Sequence, residues 1–267
     1  MTIFQALVLG TLQGLTEFLP VSSSAHLALA PYLFGWQDPG LAFDVALHFG
    51  TLVAILWYFR KEWGQLIAAA IQVIRKRKAE TVQEKRVIFL IIATIPGAIF
   101  GLLLEKKAET AFRAPALIAI ALILMGIVLW AVDRFVAERQ KLDSMRWLDA
   151  LVVGAVQVFA LVPGVSRSGS TITALRGLRF DRESAAIFSF LMSMPIIAAA
   201  VVLKGPEVLR SGDLGMEVIV GVLASAISGW IAISILLRYV TRNSYGIFAL
   251  YRVLLGLAVL AVVYSRG

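Results

Sequence analysis

The sequence predicts an all-α polytopic membrane protein with six transmembrane helices and two re-entrant helical hairpins in an inverted-topology repeat. Three observations carry this. Hydrophobic residues make up 60% and charged residues 16% of the 267-residue chain, against about 45–50% and 25% in soluble domains. Six apolar stretches have the length of a bilayer crossing. Two further apolar stretches are interrupted by Pro and Ser, and they resemble each other at a spacing of about 144 residues.

A spanning helix needs about 20 mainly apolar residues. Residues 43–60, 86–104, 115–135, 183–203, 216–238 and 246–264 qualify. Pro96 and Pro195 are expected to kink two of these helices. Residues 3–35 carry Glu17, Pro20, three consecutive serines and His26, and residues 148–176 carry Pro163, Gly164 and Arg167. Irregular backbone at membrane depth is tolerated only inside protein or along a wet cavity. Both are therefore read as helix–break–helix hairpins, with breaks at Pro20–His26 and Pro163–Thr171. Met1–Gln5 lack the basic residues of a signal peptide, so the first segment is expected to remain in the mature protein.

Gly10-Thr-Leu-Gln13 pairs with Gly154-Ala-Val-Gln157. Pro20-Val-Ser-Ser23 pairs with Pro163-Gly-Val-Ser166 after a one-residue slip. Each motif precedes three crossings, and an odd number inverts the second copy, giving repeats of about 1–135 and 148–267 within one membrane domain. The basic residues fall between the apolar runs: eight in 60–86, four in 134–147, three in 176–182 and two in 238–242, seventeen of 25 on one side. Six lie on the other: Lys106, Lys107, Arg113, Lys204, Arg210 and Arg266. The bias makes the first side cytoplasmic and both termini external. The net charge of +8 belongs to these loops and forms no nucleic-acid face. Cysteine is absent, which excludes disulfides and thiol chemistry, and two histidines cannot build a three-His metal site.

In Gln13-Gly-Leu-Thr-Glu17-Phe-Leu-Pro-Val-Ser22-Ser23-Ser24-Ala-His26, Gln13 and Glu17 share a helix face. A carboxylate in an apolar helix costs roughly 2.5–3.5 kcal/mol, so it needs a partner. That partner is a hard divalent cation, Mg²⁺ or Ca²⁺, shared with the Gln13 carbonyl, or Arg167 in a structural pair. Ser22, Ser23 or Ser24 can cap the second half-helix, whose N-terminus favours an anion. If helix begins near Ser23, His26 can approach the Ser23 hydroxyl as base to nucleophile. The competing roles are capping for the serines and packing for His26.

In Pro163-Gly-Val-Ser166-Arg167-Ser168-Gly-Ser-Thr171, Arg167 is a permanent planar cation suited to phosphate, surrounded by hydroxyls. This is not a Walker loop, since Gly-Lys-Ser/Thr is missing. His48, with Asp44 four residues before it, reads as a local pair. Arg252 needs a buried partner that the sequence does not name. The run Arg75–Arg86 reads as a cytoplasmic retention signal.

Together the two motifs resemble the signatures of the bacterial undecaprenyl-pyrophosphate phosphatase (UppP or BacA) family, and the similarity extends over essentially the whole chain, including Phe-Ser-Phe-Leu-Met at 188–192. The resemblance implies a hydrolase of the bacterial plasma membrane. It would convert undecaprenyl diphosphate to the monophosphate and inorganic phosphate, recycling the peptidoglycan carrier and conferring bacitracin resistance. It implies a divalent cation, with Glu17 as the main ligand because Gln13 stands where the family has Glu or Gln. It maps the family's Ser and His onto Ser23 and His26, and its Ser-Arg-Ser and Thr onto Ser166, Arg167, Ser168 and Thr171. Ala25 stands where Gly is common.

Residue chemistry and resemblance converge on Glu17, Ser23, His26 and Arg167 as catalytic. Ser22, Ser24, Ser166, Ser168 and Thr171 would bind phosphate, and Glu17 and Gln13 the metal. Ser23, His26 or water could attack. Partners are a polyprenyl diphosphate and membrane lipids, with a homodimer admitted, and the site is expected to open to the extracytoplasmic side. The rival is a polyprenyl-phosphate flippase of the same architecture. A lipid phosphatase of the two-histidine class is discounted, because no His follows Ser166-Arg167.

Overall fold

The computed structural model describes residues 1–109, 113–210 and 215–266. The side chains of Lys106, Lys107 and Arg210, counted above, lie outside the described residues. Among the described residues, six helices are long and apolar enough to cross a membrane: α3 (Leu41–Tyr58), α5 (Val82–Glu109), α6 (Pro115–Phe135), α9 (Arg182–Arg210), α10 (Met216–Val240) and α11 (Gly246–Arg266). They coincide with the six predicted stretches. Pro115 opens α6, where its missing N–H has no partner to lose, whereas Pro96 and Pro195 lie inside continuous helices.

The two interrupted stretches each form helix, break, helix. α1 (Ile3–Phe18) and α2 (Ser23–Phe34) flank the first break; α7 (Trp147–Gln157), extended by a 3₁₀ turn over Val158–Leu161, and α8 (Arg167–Gly177) flank the second. Each first helix stops because the residue before proline is driven out of the helical region: Leu19 and Val162 are both extended. The breaks are shorter than predicted. His26 lies inside α2, and Arg167 to Thr171 lie inside α8.

Glycines let the first helix of each hairpin approach a neighbour. A Cβ on Gly10 would stand 2.3 Å from the Gly221 carbonyl of α10, and one on Gly154 would stand 2.6 Å from the Ala93 carbonyl of α5. Phe18 and Phe59 both pack edge-on against Phe190 in the main core.

Arg60–Lys76 departs from the predicted loop by forming an amphipathic helix, α4. Leu66 and Ala69 are buried, while Ile67, Ile71 and Ile74 remain exposed. Charged residues at both ends keep this apolar period below the length of a membrane span.

Ionic contacts sort the loops into two groups. Arg86 meets Asp143, and Asp133 meets Arg176, Arg182 and the Tyr245 amide. Arg113 meets Asp38 and Asp44, and Arg266 donates to the carbonyls of Tyr32 and Leu33. The first group joins the four loops of the basic side, and the second joins segments of the other.

Candidate active site

The two breaks touch. Ser22 and Ser166 hold equivalent positions: φ is 75° at one and 73° at the other, a region that non-glycine residues rarely occupy. Each caps the helix behind it, Ser22 accepting from the Ala25 amide and Ser166 from the Gly169 amide. Each also lies 3.2 Å from the hydroxyl two residues on, Ser24 or Ser168. Ser22 therefore matches Ser166 at the spacing that relates Gln13 to Gln157. This corrects the one-residue slip, which had paired Ser23 with Ser166.

Cross-links follow. The Gly164 amide donates to Ser22 Oγ at 3.0 Å, and Ser168 Oγ donates to the Leu19 carbonyl at 3.0 Å. Buried Arg252 binds carbonyls on both sides: Pro20 at 3.1 Å, Gly164 at 2.6 Å and Val165 at 2.9 Å.

Glu17 is the hub. Its Oε1 accepts from Arg167 Nη2 at 2.6 Å. Its Oε2 accepts from Ser23 Oγ at 2.5 Å and from Gln13 Nε2 at 3.0 Å, with His48 Nε2 at 3.6 Å. The i,i+4 spacing on α1 delivers Gln13, the break delivers Ser23, and the start of α8 delivers Arg167. One carboxylate thus faces a hydroxyl on one oxygen and a guanidinium on the other. Such an arrangement can take a proton from the hydroxyl while the cation fixes the carboxylate's orientation.

A cavity of about 220 Å³ opens beside this hub, lined by Glu17, Ser22, Ser23, Ser24, Ser166 and Arg167 among the predicted residues. His48, Gly97 and Gln157 line it too. Its remaining wall is apolar, including Leu161, Ile196 and Ile197. Arg167 Nη1 is buried and has no partner among the described residues, so one face of the guanidinium stays free for an anion.

Three predicted residues sit elsewhere. His26 does not reach Ser23: its Nδ1 bonds the Ser22 carbonyl at 2.7 Å and its Nε2 bonds the Tyr251 hydroxyl at 2.7 Å. A carbonyl only accepts, so Nδ1 carries the proton and Tyr251 occupies the other nitrogen. The ring points back along its own helix, as helical side chains do. Ser168 is spent on Leu19 and Ser166, and Thr171 on the Arg167 carbonyl and Ser189 Oγ, the latter at 2.7 Å.

His48 and Gln157 were not singled out for the site. The Asp44 contact of His48 is to the backbone carbonyl, at 2.7 Å, which leaves Nε2 turned to Glu17; the Asp44 carboxylate is bound by Arg113. The available signal was an ionisable side chain in an apolar helix. For Gln157 the signal was its place in the repeat.

No cluster of three or more His, Cys, Asp or Glu able to hold a metal occurs among the described residues. The oxygen donors at hand are the Glu17 carboxylate and Gln13 Oε1, which is buried without a partner. Such a short set fits a hard cation whose remaining ligands are substrate phosphates and water.

The sequence matches the model of the family described as bacitracin resistance protein BacA over residues 6–258. It is 61% identical over the full length of both chains to a protein of Gemmatimonas aurantiaca named undecaprenyl-diphosphatase. Proteins of the same name from Pelotomaculum thermopropionicum and Moorella thermoacetica are 50% and 49% identical, each covering 100% of this chain and 98% and 100% of their own.

Proposed function

The chain belongs to the bacitracin resistance protein BacA family, and on that premise we propose that its Glu17–Ser23–Arg167 cluster is the machinery of an undecaprenyl-diphosphatase. The protein is a multi-pass membrane hydrolase that converts undecaprenyl diphosphate to undecaprenyl phosphate and inorganic phosphate. That activity returns the lipid carrier to peptidoglycan synthesis and underlies bacitracin resistance.

The observation that carries the site reading is the 2.5 Å contact from Ser23 Oγ to Glu17. Glu17 takes the hydroxyl proton as Ser23 Oγ attacks the terminal phosphorus. The bond from that phosphorus to the bridging oxygen breaks, and polyprenyl monophosphate leaves with the electron pair. Glu17 passes that proton to the departing monophosphate; water then attacks the phosphoserine, Glu17 takes a proton from it and returns it to the leaving Ser23 Oγ, and inorganic phosphate departs. Arg167 binds the non-bridging oxygens through its free Nη1, so charge developing in the transition state meets a preorganised cation. His48 Nε2 faces the Glu17 carboxylate at 3.6 Å. A Mg²⁺ or Ca²⁺ ion bound by Glu17 and Gln13 would supply further neutralisation of the diphosphate. His26 serves by holding the Ser22 carbonyl.

Ile196, Ile197 and Ala200 of the cavity wall stand in the second half of α9, and with the loop-charge bias this supports a site that opens to the extracytoplasmic side. Substrate then arrives from the outer leaflet of the plasma membrane.

Ser23→Ala in purified protein tests this. Phosphate release from a polyprenyl diphosphate should fall at least about a thousandfold, and acid-quenched wild type should hold phosphoserine at position 23. Full activity in the variant refutes attack by Ser23. Wild-type protein that moves polyprenyl phosphate across vesicles without releasing phosphate would favour the flippase reading.

A further inference from the structure

Gln157 lines the cavity wall, and the mechanism gives it no role. Its residue exposure is 3%, yet among the described residues neither its Oε1 nor its Nε2 has a hydrogen-bond partner. Buried amides are almost always paired, so both atoms of one side chain facing a cavity unpaired indicate a ligand.

The repeat explains how the partner was lost. Gln157 is the counterpart of Gln13, and Gln13 donates to Glu17 four residues on. Four residues beyond Gln157 stands Leu161, which offers nothing. The opposite wall keeps space for the amide instead: a Cβ on Gly97 would stand 2.3 Å from Gln157 Nε2.

The surroundings select the ligand group. The polar wall, with Ser23 and Arg167, engages the terminal phosphate. Gln157 sits with Gly97, Leu161, Ile196 and Ile197. Next to Gly97 on α5 and to Ile196 on α9, Ala98 and Pro195 line a separate apolar groove of about 400 Å³, together with Thr94, Ile95, Met194 and residues of α3 and α4. Gln157 thus packs on Gly97, the chain neighbour of Ala98 in a groove suited to a hydrocarbon chain.

We infer that the Gln157 carboxamide binds the lipid-proximal phosphate of the substrate, Nε2 donating to a non-bridging oxygen, with the polyprenyl chain running into the α5–α9 groove. This rests on the phosphatase reading above. It makes Gln157 the residue that recognises a diphosphate ester, while Ser23 and Arg167 engage the terminal phosphate.

The test uses the full-length protein in detergent with farnesyl diphosphate as substrate. Gln157→Leu should raise KM ten- to a hundredfold with a smaller change in kcat. It should weaken inhibition by farnesyl monophosphate at least tenfold and leave inhibition by inorganic phosphate unchanged. Gly97→Ala, which displaces the amide without removing it, should move the same constants in the same direction. If Gln157→Leu fails to fold, Gln157→Glu keeps the shape and should raise KM further by repelling the phosphate. Unchanged KM and unchanged farnesyl monophosphate inhibition would overturn the inference. Equal weakening for inorganic phosphate would overturn the assignment to the lipid-proximal group. A wild-type protein that releases no phosphate would instead refute the phosphatase reading.

Discussion

Arg252 Nη2 donates to the Gly164 carbonyl at 2.6 Å. The same guanidinium reaches Pro20, Val165 and Leu122, and it is fully buried. Its partners are therefore carbonyls of the two breaks and α6, where a charge-pairing rule would look for a carboxylate. The planar fork spans both breaks at once, which a point charge on a flexible stem does not. It fixes the register of Ser22 against Ser166, and with it the distance from Glu17 to Arg167.

Arg252→Lys should show this. One ammonium cannot satisfy carbonyls on both breaks, and hydrogen bonds to charged groups are worth about 1.5–3 kcal/mol each. The variant should lose at least about 2 kcal/mol of stability and most of its activity. Thermal unfolding in detergent, read beside kcat, checks both. A variant as active and stable as wild type would deny the staple.

Glu17→Gln separates proton transfer from packing. Glutamine can still accept from Ser23 but cannot take its proton. We expect kcat to fall about 10²–10⁴-fold with little change in KM. Steady-state phosphate release measures the split, and a change confined to KM would make Glu17 a binding group only.

His26 and Tyr251 are expected to act as one unit through their 2.7 Å contact. Tyr251→Phe and His26→Gln should each lower kcat modestly, by less than about tenfold, and the double variant should be no worse than the poorer single one. If His26 attacked phosphorus or activated water, His26→Gln would cost about a thousandfold or more while Tyr251→Phe would not.

Gln13 gives a handle on the cation. Gln13→Glu adds a second carboxylate beside Glu17, so half-maximal Mg²⁺ for activity should fall after chelator treatment, by about tenfold if the ion sits there. Titration of Mg²⁺ into chelator-treated protein reads this directly, and an unchanged midpoint would move the ion away from Gln13.

The spans were legible because an apolar run of bilayer length admits few other structures; Pro115–Phe135 could be read to the residue. The Glu17–Arg167 pair was legible for a related reason, since two opposite charges in apolar sequence need one another. What eluded the sequence depends on tertiary direction. His26 was expected to face Ser23 from its spacing alone, but its rotamer and Tyr251, 225 residues away, turn it to the Ser22 carbonyl. His48 reaches Glu17 only because α3 packs against α1. The emptiness around Gln157 is set by Gly97 on another helix.

The absence of cysteine makes orientation testable without altering a background residue. Single cysteines at Gln37 and Ser265, both exposed, lie on the side with few basic residues; Lys78 and Lys141, also exposed, lie on the basic side. Because positive loops are retained in the cytoplasm, a membrane-impermeant maleimide should label Gln37→Cys and Ser265→Cys in right-side-out vesicles. Lys78→Cys and Lys141→Cys should be labelled in inverted vesicles. The contacts that join Arg266 to Tyr32 and Arg86 to Asp143 require each pair to react together. The reverse pattern would turn the cavity toward the cytoplasm and make the substrate an inner-leaflet lipid. Mixed labelling within a pair would break the proposed hairpin topology itself.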